Sequence, residues 1–263
     1  MTTCLDFELY SLLKDTIMTE NILYLRGSKS GLAASKHPWI FDGAIDTKKS
    51  GEIDAGVVHL HTNDGRFVGV GTYNPKSAIA FRMLETAPRP IDLDFFLGRL
   101  AAAKSLRSSL IDTDTNGFRL VNSEGDGIPG LTLDTYAGHL VVQVGTPAME
   151  ALAPVWLEAV KRVFSPASVT RKDSQSVANR EHMAGISKVL SGSPPEFIDF
   201  REAGIWFQAS VLPGQKTGSA SQGLPRENAY STATHTPAVS APMRCRPARQ
   251  WSPAWRVWPR PVK

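Results

Sequence analysis

Between residues 19 and 90, turn signals cut the chain into short β-patterned runs, and few folds tolerate that punctuation. The runs are residues 21–26 (NILYLR), 53–62 (IDAGVVHLHT), 66–73 (RFVGVGTY) and 77–84 (SAIAFRML). They alternate apolar with polar residues or are rich in β-branched ones, as half-buried strands are. Asn63-Asp64-Gly65 separates the second run from the third. An Asp-Gly pair accepts positive φ at low cost, so this step predicts a hairpin. Asn74-Pro75 marks the next break. Strands this short and closely spaced predict a small β-barrel. Residues 29–34 fit one helical turn beside it.

From residue 91 the period changes. Leu93, Phe96, Leu97 and Leu100 recur at helical spacing, and an Ala-rich stretch follows to Leu106. Met149, Leu152, Trp156, Val160 and Val163 form a second apolar stripe. Residues 118–121, 131–133 and 139–144 read as strands between these helices, which predicts an α/β domain over 91–200. Residues 192–195 read as a loop. Residues 196–212 read as paired strands leading to Gly214-Gln215-Lys216-Thr217-Gly218.

After residue 218 the composition changes. Residues 219–263 hold seven of the 18 prolines and three tryptophans, with no Ile or Phe and no periodicity. Proline removes backbone donors and fixes φ, so helices and central strands are disfavoured, and a disordered basic tail is expected. Arg, Pro, Ala and Trp in this proportion fit an out-of-frame reading of GC-rich DNA; an authentic basic tail is the alternative. Residues 1–18 are expected to be an extension, either a short helix or sequence upstream of a start at Met18.

The charge is divided in the same way. The tail carries six Arg and one Lys against Glu227, a net of +6, which leaves the other 218 residues at −2 when the whole chain is +4. Residues 19–90 have nine Lys/Arg and seven Asp/Glu. A nucleic-acid argument therefore needs local residues, because the body is nearly neutral. No apolar run approaches the roughly 18 residues of a membrane helix. Cys4 and Cys245 alone make neither a disulfide framework nor a zinc site, and they fit a cytoplasmic protein without metal.

Four motifs carry polar chemistry. Lys36-His37-Pro38-Trp39-Ile40-Phe41 offers an ammonium and an imidazole to phosphate and an indole to a base; the alternative places Trp39 and Phe41 in the core. His59 and His61 share a strand face, but two ligands without a third do not make a metal site. In the stretch from Arg119 to Leu131, Glu124 and Asp126 could serve as a base or orient a substrate amine. Alternatively, Asn122 and Asp126 organise a Gly-rich turn through side-chain to backbone bonds. Gly214–Gly218 is no Walker loop, because Gln215 stands where the glycine before Lys216 is required.

Four strings occur in order: KHPWIFDGAI, GVGTYNPKSAIAFRML, FRLVNSEGDGIPGLTLDTY and PGQKTG. Together they resemble the bacterial class I S-adenosylmethionine-dependent methyltransferases that modify carbon 5 of cytosine in 23S ribosomal RNA. The resemblance covers residues 19–218. It implies an α+β and α/β chain with a PUA-like β-barrel over 19–90 and a central α/β domain over 91–200. The opening strands of a Rossmann-like methyltransferase domain would lie at 201–218. Ribosomal RNA is the implied partner. Lys29, Lys36, His37 and Trp39 are the implied RNA contacts, with Arg82 beside them. Arg119, Asn122, Glu124 and Asp126 would line the substrate cleft. Gln215, Lys216 and Thr217 would lie beside the S-adenosylmethionine pocket. Arg171-Lys172-Asp173 departs slightly from the family's Arg-Ser-Asp.

The family continues with a full Rossmann domain that supplies the cofactor loop, a ribose-binding acid and the cysteine nucleophile. Here Ser219-Ala-Ser-Gln-Gly follows Gly218, and no Asp occurs beyond Asp199. Cys245 sits in MRCRPAR, which is not a nucleophile's context. Carbon-5 methylation needs a thiolate to add at carbon 6 and a donor held in line. The expectation is a truncated family member that holds no catalytic residue and does not bind S-adenosylmethionine. The alternatives are a non-catalytic RNA-binding module and a PUA-bearing enzyme of another class. Without a sheet to join, the strands of residues 196–212 should leave Trp206 and Phe207 partly exposed.

Overall fold

The computed structural model describes residues 21–29, 31–32 and 37–211. The expectations for residues 1–18, for the tail and for Lys36, Gln215, Lys216 and Thr217 lie outside the described residues.

The N-terminal lobe is one five-stranded sheet. Its strands are β1 (Ile22–Tyr24), β2 (Trp39–Ile40), β3 (Gly56–His61), β4 (Phe67–Tyr73) and β5 (Phe81–Glu85), in the order β1-β3-β4-β5-β2. β1 pairs parallel to β3, and the other neighbours are antiparallel. The hairpin forms where Asn63-Asp64-Gly65 predicts it. Gly65 takes φ 89°, and the Thr62 amide donates to the Arg66 carbonyl at 2.9 Å. β1 and β2 are the sheet edges, and a single bridge from Leu25 to Ile45 links the segments that follow them. Alternation along β3 sends Val58 and Leu60 inward, where they meet Leu23, Ile40, Ile45 and Phe81.

The central lobe has a second five-stranded sheet, in the order β10-β9-β8-β7-β6. Helix α2 (Leu93–Leu110) precedes β6 (Gly117–Asn122), β7 (Leu131–Tyr136) and β8 (His139–Val144), which form an antiparallel meander. (The single turn Thr47–Ser50 in the first lobe is α1.) Asp92 caps α2 by accepting from the Phe95 amide. The stripe from Met149 to Val163 forms two helices rather than one, α3 (Pro147–Ala151) and α4 (Ala153–Phe164). Pro154 has no amide to donate and opens the second helix. The helices cross to β9 (Ser168–Lys172), which lies parallel to β8; α5 (Gln175–Arg180) and β10 (Ser187–Gly192) complete the lobe. Trp156 is fully buried against Phe96, Leu133 and Val142, and its indole donates to the Met149 carbonyl at 2.8 Å. Val70 and Leu84 of the first lobe join the same cluster, so the two sheets share a core.

β11 (Ile198–Glu202) and β12 (Ile205–Ala209) form a two-stranded hairpin. It begins at Ile198, so the expected domain boundary at 200/201 falls inside a strand. The hairpin anchors on the central sheet. Gly117 has no Cβ, and the Phe200 ring occupies the space a Cβ would need, 2.0 Å away. Phe200 also meets Tyr136 edge-on at 5.0 Å and stacks on Phe207 at 5.5 Å. Trp206 is 57% exposed and Phe207 is half-buried, so both keep the partial exposure expected of them.

One buried ion pair joins the lobes. Arg82 on β5 meets Glu181, just after α5, with Nη2 to Oε1 at 2.5 Å; both side chains are more than nine-tenths buried. Ser77 Oγ donates to Oε1 at 3.1 Å, and Asn74 Nδ2 donates to Oε2 at 3.2 Å and to the Glu181 carbonyl at 3.1 Å. Truncating Arg82 leaves a buried carboxylate with only neutral donors. Arg82→Leu should cost about 3–5 kcal/mol in urea unfolding. Adding Glu181→Met should recover most of that loss. A single-variant cost below about 1 kcal/mol would mean that the pair does not clamp the lobes.

Candidate nucleic-acid interface

A cleft of about 620 Å³ opens between the lobes, directly above this pair. That is room for a nucleotide-sized ligand. Trp39, Phe41, residues 77–79 and Arg82 form one wall. Ser123, Glu124, Thr132, Gln143 and Ser174, with Arg180 and Glu181, form the facing one.

Strand alternation builds the first wall. Ile40 points inward and is 2% exposed, so Trp39 and Phe41 point outward, at 37% and 53% exposed. The core alternative for these two aromatics is thus corrected: the two-residue period of β2 gives the inner place to Ile40. Trp39 pairs with Arg82 across the β2–β5 ladder. Its indole Nε1 donates to Glu124 Oε1 at 2.9 Å, a bond that spans the cleft. His37 Nδ1 accepts from the Trp39 amide at 3.0 Å, and the two rings meet edge-on. His37 is exposed and borders the cleft through Trp39. Lys29 is exposed on the turn Gly27–Lys29 and does not line the cleft. Arg82 reaches the cleft only as its floor. Its guanidinium is committed to Glu181, so its expected role as an RNA contact is corrected to that of a buried partner under the cleft.

Carboxylates that hold backbone build the opposite wall. Asp126 receives the Arg107 fork at 2.5 and 2.7 Å and the Asn122 amide at 2.6 Å. This fixes the turn Ser123–Asp126, which presents Glu124 to the cleft. Arg119 is held by Asp134 through two bonds, at 2.9 and 3.2 Å. Of the four residues assigned to the substrate cleft, only Glu124 lines it. Asp126 has its oxygens occupied inside the turn, Arg119 is fastened to its own sheet, and Asn122 lies on the exposed end of β6. Asp173 does similar work on the other side. It accepts from the Val144 amide at 3.0 Å, the Ile186 amide at 3.1 Å and Arg171 Nε at 2.8 Å, and so fixes the strand end next to Ser174. The neighbouring Lys172 is half-buried, and burial pushes its ammonium below the ordinary lysine range.

The cleft has no excess of positive charge. Arg82 and Glu181 cancel, and Arg180 offsets Glu124. Such a lining suits stacking and hydrogen bonds better than phosphate binding; Arg180 is its exposed cation, and Lys76 is exposed next to the cleft-lining Ser77 in the chain. Ser123 and Thr132 stand inside the string FRLVNSEGDGIPGLTLDTY without being singled out by it, and Gln143, Ser174 and Glu181 lie outside every motif, with one sequence signal among them. Gln143 is the only polar residue between Leu140 and Val144, an interruption that could have marked it. His59 and His61 both face Phe67, edge-on at 5.8 and 5.7 Å. Among the described residues no group of three or more His, Cys, Asp or Glu could hold a metal ion, and no helix is long and apolar enough to cross a membrane.

Comparison with known proteins agrees with this architecture. Residues 23–86 match the family described as "PUA-like domain". The ribosomal RNA large subunit methyltransferase I of Photobacterium profundum is 33% identical over 205 residues, which is 76% of this chain and 51% of that protein. The protein of the same name from Aliivibrio fischeri is 32% identical over equal shares of each chain. The chain thus spans about half the length of these curated relatives. Among solved structures, a Streptococcus mutans protein described as a SAM-dependent methyltransferase superposes with a TM-score of 0.62 at 17% identity, over 74% of this chain and 50% of that one. A methyltransferase structure complexed with SAH gives the same score over 75% and 49%. These two likenesses show the fold: a mixed α/β chain. The chain carries an N-terminal PUA-like domain and is a homologue, across about half their length, of the ribosomal RNA large subunit methyltransferase I proteins.

Proposed function

We propose that this chain binds ribosomal RNA as the RNA-holding part of an S-adenosylmethionine-dependent rRNA cytosine-C5 methyltransferase, with an unpaired segment entering the cleft between its lobes. The observation that carries this reading is the pair of exposed aromatics at the cleft mouth, Trp39 and Phe41. An exposed aromatic gains most when something stacks on it, and any unpaired base offers a flat face. His37 and Glu124 hold Trp39 in place from its backbone and from its indole edge. Lys29 is proposed to meet phosphate outside the cleft, and Lys36 is kept as a proposed phosphate contact.

The same reading places methyl transfer outside residues 21–211. Cytosine carbon-5 chemistry needs a thiolate, and both cysteines lie outside that range. Among the described residues the parallel strand pairs are β1–β3 and β8–β9, each a single pair, and no run of parallel strands forms a dinucleotide-type sheet. The described residues do not fit S-adenosylmethionine. Binding of RNA without chemistry by this chain is therefore the reading favoured here.

Two measurements test it. Trp39→Ala should weaken binding of single-stranded rRNA fragments roughly fivefold to 100-fold in fluorescence anisotropy, the worth of one stacked base. The salt dependence should be shallow, with a log–log slope of about −1 to −3, because few phosphates are met. Unchanged affinity in the variant would move the interface elsewhere. In calorimetry, S-adenosylmethionine should give no binding heat with this chain, and micromolar affinity would contradict the separation of RNA binding from catalysis.

A further inference from the structure

One buried group in the cleft has nothing to bond. Buried polar side chains are nearly always paired, and each exception calls for a reason. Among the described residues, buried side-chain atoms without a partner occur on Thr72, Gln143, Thr170 and Arg201, and Gln143 alone of these lines the cleft. It is 8% exposed, on the central strand β8, opposite Thr132, which lines the cleft beside it. Its neighbours Val142 and Val144 are buried core residues. An apolar residue at 143 would suit the strand better, since the carboxamide nitrogen loses water on burial and gains no bond in return.

The two carboxylates of the cleft are already engaged. Glu181 is saturated by Arg82, Ser77 and Asn74, and Glu124 Oε1 is taken by the Trp39 indole. We infer that Gln143 is a specificity-determining residue for an unpaired nucleobase held in this cleft. The base stacks on the aromatic mouth, and the Gln143 carboxamide, turned so that its buried Nε2 faces the cleft, donates to a ring-nitrogen or carbonyl acceptor on its edge. This deepens the RNA-binding reading and rests on it. Carboxamides are suited to base edges, and a donor desolvated in advance rejects a ligand that cannot accept from it.

The test uses the full chain and short RNA homopolymers of each base, with an abasic ribose-phosphate strand of equal length as the base-free probe. The native chain should bind the base-containing strands more tightly than the abasic one and rank the bases unequally. Gln143→Leu should lose roughly fivefold to tenfold on the preferred base and flatten the ranking, with abasic binding unchanged. Gln143→Glu keeps the size but exchanges a donor for an acceptor; it should lose at least as much, and it carries the test if the Leu variant does not fold. If both variants bind and rank the strands like the native chain, the inference is overturned while the RNA reading stands. If the native chain binds no RNA, the RNA reading itself fails. If the nucleoside monophosphates compete as well per mole as the homopolymers, the cleft is a free-nucleotide site and the inference is wrong.

Discussion

The ion pair between Arg82 and Glu181 sets the geometry on which everything else stands. Two charges removed from water repay their desolvation poorly, so such a pair adds little net stability over an apolar contact of equal size. What it adds is direction. The carboxylate is held by Arg82, Ser77 and Asn74 from the first lobe, and it reaches them only when α5 lies against β5 in one arrangement. The shared cluster around Val70, Leu84 and Phe95 supplies non-directional adhesion between the lobes. The ion pair selects which packing that adhesion takes, and the cleft is the space the selected packing leaves open.

Much of the cleft wall is made by carboxylates that never touch a ligand. Asp126 and Asp173 each gather two or more donors, at least one of them a backbone amide, and in doing so place Glu124 and Ser174. Buried carboxylates with this many donors are structural: their acceptor capacity is used, and losing one donor would strand charge. The polar density between Arg119 and Leu131 therefore reflects the requirements of a tight turn more than those of chemistry. The recognition surface is left to aromatic faces, one bridging glutamate and one unpaired carboxamide.

The legible parts of the fold were those set by local chemistry. The hairpin at Asn63-Asp64-Gly65, the helix that carries Leu93, Phe96, Leu97 and Leu100 and the paired strands after residue 196 each follow from residues close in sequence. The break between α3 and α4 was also local, but the apolar stripe from Met149 to Val163 masked Pro154. β9, α5 and β10 were missed because a buried strand that carries Arg171, with Asp173 just beyond its end, lacks an apolar signature; those charges are satisfied by Glu150 and by backbone in three dimensions. The site was harder still. Motif reading reached Trp39 and Glu124, but it could not show that Arg82 is tied up in an ion pair, because its partner lies 99 residues away. Gln143 could be seen only as an interruption in a strand, and its lack of a partner is a property of the folded state alone.

The central claim is that RNA enters the space between the lobes and does not lie across the outer face of the β-sheet. Photo-crosslinking of single-stranded rRNA fragments carrying a photoreactive pyrimidine, with adducts mapped by mass spectrometry, tests this most directly. The account predicts adducts at Trp39 or Phe41 and on the facing residues near Ser123 and Ser174. Adducts confined to the opposite side, around Lys48 and Lys49, with the aromatic mouth unmodified, would contradict it.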